Sequence, residues 1–162
     1  MNLVKIGFTA TTGDGVTVTP DSDGSITLNG TRSGTNPTIL VNDLASDADA
    51  VTVLETRYTL PTGTYLLKGT GNDNVRIQLR CHDGTNSVTL SNSTNDNTVT
   101  LDGTYPYCFF RIWVAGSASF DNFKFYPMFQ LADIADDSFR KYQPSLQEQI
   151  DELKARVTAL GG

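Results

Sequence analysis

The feature that most constrains this chain is alternation. Apolar and polar residues trade places every second position over short runs, and each run ends in a cluster of Gly, Pro, Asn or Asp. That is the period of a half-buried β-strand, whose side chains point to opposite faces in turn. Val16 and Val18 alternate with Thr17 and Thr19, and Pro20-Asp21-Ser22-Asp23-Gly24 then turns the chain. Ile26 and Leu28 resume the pattern against Ser25, Thr27 and Asn29, which predicts a hairpin with a glycine at its tip. Asn29-Gly30 reads as a second turn.

Further strands are expected at Thr38 to Leu44, Val51 to Leu60 and Thr64 to Gly69. Others follow at Val75 to Cys81, Ser87 to Leu90, Thr98 to Leu101, Tyr105 to Val114 and Ser119 to Tyr126. Roughly ten short strands with a turn signal every 8–12 residues or so predict an all-β chain, specifically a jelly-roll β-sandwich. The 162 residues suffice for one such domain with an appendage. The expected division is a β-sandwich over residues 1–130, an irregular connector over 131–144 and a helix over 145–162.

Composition narrows the function classes. The formal charge of −6 argues against nucleic acid and anionic membrane as main partners, since both need a basic surface. No apolar run approaches the roughly 20 residues of a membrane span. Met1-Asn2-Leu3-Val4-Lys5 has no apolar signal segment, so export on its own signal is not expected.

Catalytic and metal chemistry find little material. Two cysteines, Cys81 and Cys108, and one histidine, His82, fit no metal-ligand spacing, so neither a metal nor a cofactor is expected. No phosphate-binding glycine loop and no nucleophile elbow is present. A glycosidase would need a carboxylate pair. Glu55 is the only glutamate of the β-region, with Asp73, Asp83 and Asp102 as its available partners. No catalytic residue is assigned, and an enzyme is not expected. Asp21-Ser22-Asp23-Gly24 looks like the start of a calcium loop but lacks the downstream glutamate, and ordinary turn chemistry accounts for it.

Alternation sorts two strands by face. Val75, Ile77, Leu79 and Cys81 lie on one side of the first, and Cys108, Phe110, Ile112 and Val114 on one side of the second. These are the core sides. Both cysteines fall there, and the expectation is two buried thiols acting as small hydrophobes, because a disulfide needs them to be direct neighbours. The opposite sides carry Arg76, Gln78, Arg80 and His82, and Tyr105, Tyr107, Phe109, Arg111 and Trp113. Candidate ligand-binding residues are Tyr105, Tyr107, Trp113, Arg76, Arg80 and Arg111. Rings that stack on sugar C–H groups, with Arg or Gln for hydroxyls, make a glycan face. The same residue types favour a subunit interface. Cover by a second layer, making the rings plain core, is the third reading.

The tail changes period. Ser145-Leu146-Gln147-Glu148 reads as a capping box after Pro144. Leu146, Ile150, Leu153, Val157 and Leu160 then recur at spacings of four, three, four and three, a heptad seam about two heptads long. So short a seam is marginal alone and needs the β-domain to gather the chains. Its narrow stripe argues for oligomerisation over packing on its own chain. Ile or Val at a with Leu at d favours two strands, weakly at this length.

Several stretches resemble a known module. These are Asn2-Leu3, Gly15 to Thr19, Asp23 to Thr31, Leu60-Pro61-Thr62-Gly63-Thr64-Tyr65 with Gly69, and Phe123-Lys124-Phe125-Tyr126-Pro127-Met128. Asp136-Asp137-Ser138-Phe139 and Tyr142-Gln143-Pro144-Ser145 close the pattern. Together they resemble a jelly-roll module of bacteriophage and prophage virion proteins: tail and head fibres, baseplate appendages and capsid decorations. The resemblance implies a sandwich similar to carbohydrate-binding modules, displayed as a homotrimer whose C-terminal helix registers three chains. It implies other virion proteins and surface or mucosal glycans as partners, and assembly in the host bacterial cytoplasm. It transfers no functional residue. The alternative is a monomeric carbohydrate-binding module of a larger glycan-active protein.

Overall fold

The structure is a computed structural model, and it describes residues 2–42, 58–136, 138–144 and 146–160. Among these lie twelve strands and one helix. The strands are β1 (Thr11–Gly13), β2 (Val16–Pro20), β3 (Ile26–Thr31), β4 (Thr38–Val41), β5 (Tyr58–Thr59) and β6 (Gly63–Leu67). They continue as β7 (Val75–His82), β8 (Ser87–Ser93), β9 (Asn97–Leu101), β10 (Tyr107–Val114), β11 (Ser119–Phe125) and β12 (Phe129–Leu131), and α1 is Leu146–Ala159. All pairings among the described residues are antiparallel. Three sheets result, in the orders β1-β2-β3-β11, β4-β10-β7-β8 with β5 also on β10, and β12-β6-β9.

One hydrophobic core joins the inner faces of all three sheets. Val16, Val18, Ile26 and Leu28 come from the first sheet; Ile77, Leu79, Phe110 and Ile112 from the second; Tyr65, Leu67, Val99 and Phe129 from the third. All-β architecture is thus as the alternation predicts, and the layering is consistent with a sandwich. Tyr65 and Phe129 stack at 4.7 Å, and the Tyr65 hydroxyl donates to the Pro61 carbonyl at 2.8 Å. The Leu60-to-Tyr65 motif is therefore a device that turns the chain and anchors a core ring.

Two sequence expectations are corrected. Asn29-Gly30 does not turn the chain but runs inside β3, with Gly30 opposite Val16. The glycine is there because the backbones nearly touch: a Cβ on Gly30 would lie 2.3 Å from the Gly15 carbonyl oxygen. Cys81 and Cys108 are not separate thiols. They are register partners on β7 and β10 and form a disulfide. The strands β1 and β12 are further elements of three residues each, too short for alternation to mark them. The parts of the expected strands that fall in residues 43–57 lie outside the described residues, as does Ser145 of the capping box.

The connector is held to the β-domain. Gln130 Nε2 donates to the Asp136 carbonyl at 3.0 Å, Phe139 packs on Tyr126 at 4.7 Å, and Lys141 Nζ donates to the Ser22 carbonyl at 2.8 Å. Asp21 and Asp23 of the same turn are engaged by Ser25, Thr27 and Lys124, which is turn chemistry.

Candidate functional site: the outer face of β7 and β10

Strands β7 and β10 pair over eight consecutive positions. Their inner residues are fully buried, so their outer residues are aligned by the same register. The outer pairs are Tyr107 with His82, Phe109 with Arg80, Arg111 with Gln78, and Trp113 with Arg76. Three of the four thus set a ring beside a basic or imidazole side chain. The Arg76 guanidinium lies 4.5 Å from the Trp113 ring centroid, close enough for cation–π attraction. His82 and Tyr107 rings are 5.5 Å apart.

Polar contacts orient the guanidinium groups. Arg111 Nη2 donates to Gln78 Oε1 at 2.8 Å, and Gln78 Nε2 donates to Asn92 Oδ1 at 2.9 Å. Arg80 donates to the Ser87 hydroxyl. Among the described residues no carboxylate pairs with Arg76, Arg80 or Arg111. The Nε atoms of all three are buried without a hydrogen-bond partner. Burial, then the charge of Arg80, pushes the Arg111 guanidinium down to about 10, and it stays protonated at neutral pH.

The face is partly closed. Gln78 and Phe109 are buried at 6% and 5% exposure, whereas Arg76, Arg80, His82, Tyr107, Arg111 and Trp113 are half-buried. At one end a groove of about 280 Å³ opens, lined by Arg80, His82, Asn86, Ser87, Phe109 and Arg111.

Five of the six candidate ligand-binding residues therefore share one face. Tyr105 does not join them: it precedes β10 and lines a small crevice with Leu90 and Leu101. Gln78, Phe109, Asn86 and Ser87 join the face without being among the candidates. Asp83-Gly84 is the available signal for the last two, since a β7–β8 hairpin carries Ser87 back beside Arg80.

Two carboxylates weighed for glycoside cleavage are otherwise employed. Asp83 accepts from the Asn86 and Thr85 amides and Asp102 from the Thr104 amide, which holds both below the usual carboxylate range. A general acid needs the opposite shift. Glu55 lies outside the described residues.

The heptad residues form the second candidate site. Leu146, Ile150, Leu153, Val157 and Leu160 are exposed by 78, 45, 57, 58 and 88%, and α1 has no buried residue.

Compared with protein families, curated proteins and solved structures, the chain matches none.

Proposed function

We propose that this chain is a non-enzymatic virion structural protein of a bacteriophage, a homotrimeric fibre or decoration that attaches to host or mucosal glycans. In this reading the β-domain is a jelly roll, and α1 is a short coiled coil that registers three copies. The observation that carries it is the seam of α1. Five apolar side chains at heptad spacing find no cover among the described residues of their own chain. Second and third copies of the same helix supply that cover. The family resemblance favours three strands over the two that the heptads weakly prefer. Other virion proteins are the remaining partners. Assembly in the host cytoplasm belongs to the same reading. The Cys81–Cys108 disulfide suits a particle whose working life is extracellular.

Light scattering on the full chain and on a version ending at Pro144 tests this reading. A trimer that becomes a monomer on truncation supports it. A monomer in both versions removes its main support. That outcome favours the second reading, a monomeric carbohydrate-binding module, for which the ring-and-arginine face speaks. Under either reading, Trp113→Ala or Tyr107→Ala should weaken polysaccharide binding without unfolding the domain.

A further inference from the structure

The glycan face has a charge that a neutral sugar does not explain. The chain is acidic, with a formal charge of −6, yet Arg76, Arg80 and Arg111 lie along one face with no carboxylate among the described residues to pair them. Arg80 and Arg111 line the same groove. Two half-buried like charges facing one cavity repel each other in the empty protein, and an anion between them reverses the sign of that interaction. Each guanidinium uses one Nη2 hydrogen bond internally, Arg80 to Ser87 and Arg111 to Gln78, and these contacts fix its orientation. Other donors remain for a ligand, and the planar fork matches a carboxylate in bidentate fashion.

Larger grooves elsewhere lack this character. One of about 450 Å³ holds Lys68 and Lys124, but Lys68 pairs with Asp96 at 2.7 Å and Lys124 with Asp21 and Asp23 at 3.4 and 3.5 Å. Their charge is already neutralised. Another, of about 520 Å³, sets Asp21 on the same wall as Lys5 and Lys141. Around Arg80 and Arg111, by contrast, cations without a carboxylate partner among the described residues meet a groove and an aromatic wall, Phe109.

We propose that the groove between Arg80 and Arg111 is a carboxylate subsite, and that the face binds acidic sugars of the uronic or sialic type. Asn86 and Ser87 offer hydrogen bonds to ring hydroxyls, and the 280 Å³ volume suits about one sugar unit. The inference rests on the glycan-attachment reading above and names the chemistry of its ligand.

The test titrates the full chain with trigalacturonate, its methyl ester, sialyllactose, lactose, dextran sulfate and polyglutamate. Trp113, the only tryptophan, lies on the same face and reports binding by its fluorescence. The expected result is binding of trigalacturonate or sialyllactose, with the ester or lactose weaker by at least about tenfold. Arg80→Gln and Arg111→Gln should each lose about tenfold for the acidic sugar with the melting temperature retained. The ester comparison on the unaltered chain stands even where a variant fails to fold. Equal binding of ester and acid overturns the carboxylate subsite and leaves glycan attachment intact. Binding of dextran sulfate alone, or of polyglutamate alone, overturns it in favour of a sulfate or an acidic peptide. Binding of none of the probes overturns both this inference and glycan attachment.

Discussion

The carboxamide of Asn2 is wired to Phe129 across 127 residues: its Oδ1 accepts from the Phe129 amide at 3.0 Å. The same oxygen accepts from the Val4 amide, and Nδ2 donates to the Pro127 carbonyl, both at 3.0 Å. Asn2 is 2% exposed, so each bond replaces water that cannot reach the site. Asn2→Ala leaves two buried amides and a buried carbonyl without that partner. The expected loss is about 2–3 kcal/mol, read as a lower urea midpoint at unchanged slope. A loss below about 0.5 kcal/mol would mean that the N-terminal clip is not formed in solution.

The seam of α1 is exposed along its whole length, which separates assembly from stability. Leu153→Glu should dissolve the proposed trimer by light scattering and shift the unfolding of the β-domain by no more than about 0.5 kcal/mol in the monomer. If the unaltered chain is a trimer and the Leu153→Glu chain keeps that mass, surfaces other than the seam hold the copies together.

The Cys81–Cys108 bond closes a separation of 27 residues. In the chain-entropy account such a loop contributes about 3–4 kcal/mol by restricting the unfolded state. The Cys81→Ala, Cys108→Ala double variant should lose about that much. Both residues are at most 1% exposed, so dithiothreitol should fail to reduce the bond until denaturant is added. Reduction within minutes under native conditions, followed by thiol labelling, would show that β7 and β10 part locally.

Gly30 has φ of +111° and no room for a side chain against Gly15. Gly30→Ala therefore adds backbone strain to a backbone clash, and the expected cost exceeds about 1 kcal/mol in thermal unfolding. Gly71 has φ of +70° and open space around it. Gly71→Ala carries the strain alone and should cost less; equal costs would refute the close approach.

These positions show what the sequence makes legible. Strict alternation in β7 and β10 sorts Val75, Ile77, Leu79 and Cys81 from Arg76, Gln78, Arg80 and His82, and the structure buries the first set completely. Alternation says nothing about which strand lies beside which. Two strands, β8 and β9, intervene between β7 and β10, so neither the Cys81–Cys108 pairing nor the meeting of Arg80 with Arg111 follows from local pattern. Gly30 misleads for a related reason, since Asn-Gly has the same local chemistry in a turn and in a strand that another backbone approaches. Tyr105 is in phase with Trp113 by sequence, but the strand begins only at Tyr107. The heptads of α1 are legible because helix period and seam are both local.

The Gly24 turn makes stability pH-dependent in a direction its contacts fix. Asp21 is held below its ordinary value of 3.8 by the Thr27 hydroxyl, then Ser25 and Lys124. Asp23 is lowered to about 2 by the Ser25 hydroxyl and amide, then Lys124. Lys124, although burial pulls it down, is held above its ordinary value by Asp21 and Asp23. Depressed carboxylates stabilise the fold fully above about pH 4, and that contribution fades as pH falls toward 2. The raised ammonium contributes fully below its ordinary 10.5 and loses its contribution above that. Maximum support from this cluster thus spans roughly pH 5 to 9. Asp83, Asp102 and Asp136 are lowered too, so the whole chain should lose urea resistance between about pH 4 and 2. Asp23→Asn removes one titrating group from that set. Its urea midpoint should lie below the unaltered chain at about pH 5 and approach it at about pH 2. Parallel profiles for the two proteins would mean that Asp23 is not depressed by its neighbours.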